Sequence, residues 1–184
     1  MTNTVIDAII SRRSIRSYTA DPLSDEEIKT ILEAGKFAPS GHNCQPWHFT
    51  VIRNKEIIDT LSKKTKELLS VRSEKWMAEL GKSKAFHLFY NAPAVVVVSA
   101  HKDALTPDED CAAAVENMLI AAESLDIGTC WVGLIHLYFG ANTNGGLLNL
   151  PEGYKPYDCF CAGHKNTHQP ARPPHRDAPV KFLD

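Results

Sequence analysis

Apolar positions recur along the chain with two periods. Val5, Ile6, Ile9 and Ile10 stand at helical spacing within Thr4 to Ile10 and predict one apolar face of a short helix. Ser24 and Glu27 have the spacing of a capping box, and Ile28, Ile31, Leu32 and Phe37 give the helix behind it an apolar face. At Trp47 the period becomes two. Trp47, Phe49 and Val51 alternate with His48, Thr50 and Ile52, which predicts a strand in which Trp47 and His48 pack rather than ligate. Asn54 and Lys55 turn the chain into a Lys-rich helix with Ile57, Ile58, Leu61, Leu68 and Leu69 on one face. A further helical stretch is predicted over Glu74 to Tyr90, carrying Trp76, Leu80, Phe86, Leu88 and Phe89. Ala94 to Ser99 is short, β-branched and apolar on both sides, the pattern of a central buried strand.

The second half repeats the alternation of helix and strand. Thr106, Pro107 and Glu109 predict a helix start with proline at the first position and a capping-box partner. Cys111, Val115, Met118, Leu119, Ala122 and Leu125 then recur at helical spacing, while Ala112, Ala113, Ala114 and Ala121 permit close approach of a neighbouring helix. Asp126-Ile127-Gly128 ends this helix and Thr129 to Val132 reads as a short strand. Gly128 is either a plain left-handed helix stop or a place where backbone N–H groups point at a ligand. Asn142 to Gly146 is polar and glycine-rich, a looser segment before Leu147 to Leu150. After a turn at Pro151-Glu152-Gly153, Tyr157, Cys159 and Cys161 alternate with Asp158, Phe160 and Ala162 as a last strand.

Composition narrows the class. With 184 residues and 43% hydrophobic positions, residues 1–184 fit a single domain with a real core. A net charge of -2 gives no general electrostatic reason to expect nucleic acid or an anionic membrane as a partner. No apolar run approaches the ~20 residues that span a bilayer, and the N-terminus lacks a secretory pattern, so a cytoplasmic protein is expected. Five cysteines, an odd number, point to reduced thiols rather than a disulfide framework.

Two stretches carry candidate chemistry. Pro39 to Trp47, PSGHNCQPW, packs Ser40, His42, Asn43 and Gln45 around Gly41 between a helix and a strand, more donors and acceptors than a turn needs. Gly41 can take positive φ, and Pro46 is expected to bias Gln45 toward an extended conformation. Arg12, Arg13, Ser14 and Arg16 form a compact cationic group at a helix end, and guanidinium forks match phosphate oxygens.

Those two stretches, SRRSIRSY from Ser11 to Tyr18 and the Pro39 loop, together with GTCWVG from Gly128 to Gly133, resemble the nitroreductase family of FMN-dependent oxidoreductases in order and spacing. The resemblance extends over nearly the whole chain. It implies an α+β fold, a mainly antiparallel mixed sheet flanked by helices, with FMN sites at a homodimer interface. It also implies that NAD(P)H reduces FMN, and that FMN reduces a small-molecule acceptor such as a nitroaromatic or quinone. The flavin does the chemistry, so no side chain is assigned as catalytic acid or base. Arg12, Arg13, Ser14 and Arg16 fall on the phosphate-binding segment, Pro39, Ser40, Gly41, Asn43 and Gln45 on the flavin loop, and Gly128 and Thr129 where a backbone N–H faces flavin N5. A basic residue of the tail, Arg172 or Arg176 with Arg176 preferred, matches a further phosphate contact. Gly163-His164 departs from the family's usual Gly-Tyr. Specialised relatives remain as alternatives: a reductive dehalogenase, a flavin-consuming enzyme, or a flavin-binding protein with little turnover.

Cys159, Cys161, His164 and His168 have the ligand types of a zinc site, but cysteines one residue apart within a strand do not have its usual spacing. Core cysteines beside a His-rich tail, with no metal, are the expectation. Neither a G-x-G-x-x-G nor a Walker motif is present.

Overall fold

A computed structural model describes residues 3–169, 171 and 173–183. Helix α1 (Thr4–Ser11) is capped by the Asn3 side chain, which accepts from the Val5 and Ile6 N–H groups at 3.0 Å. In α2 (Asp25–Lys36) the predicted capping box forms: Glu27 N–H donates to Ser24 Oγ at 3.2 Å, and Ser24 N–H to Glu27 Oε2 at 2.7 Å. There follow β1 (Trp47–Ile52), α3 (Lys55–Ser70), α4 (Lys75–Lys82), β2 (Ala94–His101), α5 (Pro107–Ser124), β3 (Ile127–Trp131), α6 (His136–Ala141) and β4 (Tyr154–His164).

The strands form one antiparallel sheet in the order β1-β2-β4-β3. The valine run is central, as its double-sided apolarity predicts: Val95 lies opposite Cys161 and Val97 opposite Cys159. Successive residues of a strand point to opposite faces. Val95, Val97, Cys159, Cys161 and Cys130 therefore pack with α3 and α6, while Val96, Val98, Phe160 and Ala162 pack with α2 and α5. Tyr157 breaks the expected alternation with Cys159 and Cys161. A bulge shifts the register between Val98 and Ser99, and Tyr157 packs against the α2–α5 side with Phe160.

Close approach of α5 to α2 depends on Gly35, where a Cβ would stand 3.0 Å from Met118 Cγ. Other expectations are corrected. The helix predicted over Glu74 to Tyr90 ends at Lys82. There Lys66 Nζ donates to the carbonyls of Ser83 and Phe86 at 2.7 Å each, and Leu88 N–H to Ser62 Oγ at 3.0 Å, so α3 side chains hold a non-helical path that buries Leu88 and Phe89. Thr106 makes no capping box with Glu109; its hydroxyl donates to Asp110 instead. The left-handed residue after α5 is Asp126, at φ 58°, and Gly128 lies inside β3. The apolar face of α1 remains open within the chain: Ile9 is 45% and Ile10 54% exposed, and Phe37 at the end of α2 is 77% exposed.

Candidate functional site

After α1 the chain runs extended along the free edge of β3. Ser14 bridges Thr129 in parallel, and Ile15 N–H donates to the Thr129 carbonyl at 2.8 Å. Ile15 is buried, so alternation turns Ser14 and Arg16 outward to solvent. Gly128 makes the contact possible, because a Cβ there would stand 2.7 Å from Ile15 Cγ2. The Tyr18 hydroxyl donates to the Ile15 carbonyl and lies 3.4 Å from Cys161 Sγ; burial pushes its pKa far up and keeps it a donor. Sequence reasoning gave Gly128 and Thr129 a place beside the ligand. The structure buries both in β3, where they hold the arginine segment in register.

Each arginine is oriented differently. Arg12 donates from Nε to Glu116 Oε1 of α5 at 3.1 Å. Arg16 donates from Nε to Tyr90 Oη at 3.3 Å, and its guanidinium carbon lies 5.6 Å from that ring's centroid. Arg13 is half-buried and, among the described residues, its guanidinium has no hydrogen-bond partner. Glu116 and Tyr90 gave no signal in the sequence, since one is a polar helix position and the other was expected inside a helix.

The Pro39 loop makes a single 3₁₀ turn over Gly41–Asn43. The left-handed residues are His42 at φ 51°, Asn43 at 55° and Gln45 at 47°, not Gly41; nor does Pro46 hold Gln45 extended. Bonds within the loop compensate for these conformations: Gln45 N–H donates to Ser40 Oγ at 3.0 Å, and Gln45 Nε2 to Asn43 Oδ1 at 3.1 Å. Gly41 N–H donates to Asp110 Oδ1 at 2.9 Å. Pro39, Asn43 and Gln45 are exposed, whereas Ser40 and Gly41 are half-buried. Within one chain the loop is thus tethered near the start of α5, while Arg12 is tethered at Glu116, farther along the same helix.

At the end of β3, Gly133 is exposed and a Cβ on it would meet nothing within 4 Å. Beside it Trp131 Nε1 donates to Asp158 Oδ1 at 2.9 Å, and His136 Nε2 lies 3.3 Å from the same oxygen. The hydrogen bond to Asp158 raises the His136 pKa against the opposing effect of burial. Arg176 is exposed in the tail, whose Pro173, Pro174 and His175 flank Ile9 and Ile10 of α1. Arg172 lies outside the described residues. Cys159 and Cys161 are buried in the core, as their place in a strand predicts.

An exposed hydroxyl and several guanidiniums on one short segment suit a phosphate. Comparisons with known proteins bear on the family. A nitroreductase with bound FMN from Bacteroides fragilis NCTC 9343 superposes with a TM-score of 0.85 at 30% identity, covering 100% of both chains. A second nitroreductase with bound FMN, from Desulfitobacterium hafniense DCB-2, gives 0.87 at 28% identity, again over 100% of both chains. An Archaeoglobus fulgidus protein provisionally named NADH dehydrogenase/NAD(P)H nitroreductase is 35% identical over 164 residues, 85% of this chain and 82% of its own length. The nitroreductase family model matches residues 9–164, and the chain belongs to the nitroreductase family.

Proposed function

We propose that the protein is an NAD(P)H-dependent FMN oxidoreductase, one domain per chain, that reduces nitroaromatics, quinones or related acceptors. The observation that carries this reading is the arginine segment bridged to β3 at Ser14 and Thr129. The donor set fits an FMN phosphate: Ser14 is exposed, and the terminal nitrogens of Arg12 and the guanidinium of Arg13 have no protein partner among the described residues. Arg16, steered by Tyr90, would add a further cation, as would Arg176 of the exposed tail. When bound, FMN supplies two-electron redox chemistry between the nicotinamide and the acceptor. The chain positions it. Arg12, Arg13, Ser14 and Arg16 would hold the phosphate, Pro39, Ser40, Gly41, Asn43 and Gln45 would offer polar contacts to the ring, and the β3 segment from Gly128 and Thr129 onward would lie against it. Within that segment Gly133 is exposed and a Cβ on it would meet nothing within 4 Å, so its backbone would be the part open to a bound ring.

The site is shared between two copies of the chain. Supporting this are the separate tethering of the Pro39 loop and the Arg12 segment on α5, and the uncovered apolar surfaces of α1, Phe37, Phe182 and Leu183. Nicotinamide and acceptor take turns at one exposed ring face, which makes the kinetics ping-pong. Purified protein is expected to be yellow, to release FMN on denaturation, and to bleach on adding NADH or NADPH and recover with a quinone. Failure of the apo-protein to bind FMN would overturn the reading. An FMN-loaded protein that neither nicotinamide reduces would be a flavin-binding protein instead.

A further inference from the structure

The Pro39 loop is held in place by a residue outside it. Asp110 of α5 is 3% exposed, and its Oδ1 accepts from Gly41 N–H and from Thr106 Oγ1, each at 2.9 Å. Its Oδ2 faces Cys44 Sγ at 4.0 Å, so one carboxylate meets both limbs of the 3₁₀ turn. Burial of a carboxylate is costly unless its oxygens are bonded, and the loop and Thr106 supply those bonds. The loop's internal bonds, from Gln45 to Ser40 and to Asn43, fix its shape without fixing its place. Space is equally constrained: a Cβ on Gly41 would stand 2.5 Å from Thr106 Oγ1.

We propose that Asp110 is the positioning residue of the flavin loop, its carboxylate holding Gly41 so that Ser40, Asn43 and Gln45 face the cofactor; this rests on the FMN reading given above. The same helix carries Glu116, the partner of Arg12. Six residues separate the two carboxylates, about 9 Å of helix rise, so in the shared-site arrangement each α5 sets the loop of one site and the arginine of the other.

The test uses full-length apo-protein, titrated with FMN by fluorescence quenching, with hydrogen exchange at the Gly41 amide and the apo-protein Tm as independent readouts. Asp110→Ala is expected to weaken FMN binding about tenfold or more, the range of hydrogen bonds to charged groups, and to expose the Gly41 amide to exchange. Asp110→Asn keeps an acceptor oxygen and should restore most of both. Glu109→Ala, an exposed neighbour, should change neither. Gly41→Ala attacks the contact from the loop side, and Thr106→Ala in that background should relieve it, since the next atoms lie 3.7 Å from the new Cβ. If Asp110→Ala does not fold, the Gly41 and Thr106 series decides. FMN affinity within about twofold of wild type in Asp110→Ala, Asp110→Asn no better than alanine, or no relief by Thr106→Ala would overturn the proposal while leaving the FMN reading intact. Absence of FMN binding by the wild type would overturn both.

Discussion

Arg12 Nε donates to Glu116 Oε1 at 3.1 Å, which aims the guanidinium and leaves its terminal nitrogens without a partner among the described residues. A lysine cannot keep the Nε contact and also present a fork. Arg12→Ala is therefore expected to raise the FMN Kd about tenfold or more, each lost hydrogen bond to phosphate contributing roughly 1.5–3 kcal/mol. Arg12→Lys should rescue poorly, and Lys63→Ala, on the exposed face of α3, should bind as wild type. Fluorescence titration of the apo-proteins measures all three; equal affinities would remove the phosphate assignment.

Arg12 and Gly41 are tethered to different points of α5, and the proposed sharing of the site predicts complementation. Arg12→Ala and Asn43→Ala chains should each be impaired alone. Mixed, they form heterodimers with one doubly damaged site and one intact site, and up to about half the wild-type activity per heterodimer should return. Sizing by light scattering confirms the dimer. A fully active monomer, or no recovery in verified heterodimers, contradicts the shared site.

Two glycines of one segment should fail differently. Gly133→Pro deletes an N–H at an uncrowded position and should slow flavin reduction by NAD(P)H while FMN still binds. Gly128→Ala forces a Cβ to 2.7 Å from Ile15 Cγ2, and should lower stability by about 1–3 kcal/mol and loosen FMN together. Stopped-flow reduction and chemical denaturation separate the two effects. Wild-type kinetics should give parallel double-reciprocal lines; intersecting lines would report a ternary complex.

His136 supplies a pH dependence. Its native pKa is raised by the hydrogen bond to Asp158, above an unfolded value of about 6.5. The pairing therefore stabilises the fold fully below about pH 6.5 and fades as pH rises through the native pKa. With His136 partly exposed, the effect on stability should be small. Proton NMR titration should place the His136 midpoint above that of a free imidazole, and Asp158→Asn should bring it down. An unchanged midpoint in that variant would remove Asp158 as the cause.

Local patterns in the sequence determined the elements whose causes are local. Ser24 and Glu27 specify their cap three residues apart, and the Ala94 to Ser99 valine run is apolar on both sides because both faces of β2 are covered. The arginine segment and the Pro39 loop were likewise legible as unusual concentrations of donors. Tertiary structure decided what depends on partners distant in the chain. Lys66 and Ser62 end a helix that periodicity would continue to Tyr90. The bulge opposite Ser99 carries Tyr157 to the other face of the sheet from Cys159. Gly128, read as a helix stop or a ligand contact, is small because Ile15 lies against it, and the left-handed turn falls on Asp126. Asp110 and Glu116, ordinary acidic positions of an amphipathic helix by sequence, gain their roles only when folding sets them against Gly41 and Arg12. Capping and alternation act over a few residues and leave a mark in the chain, whereas a carboxylate's partner 69 or 104 positions away leaves none.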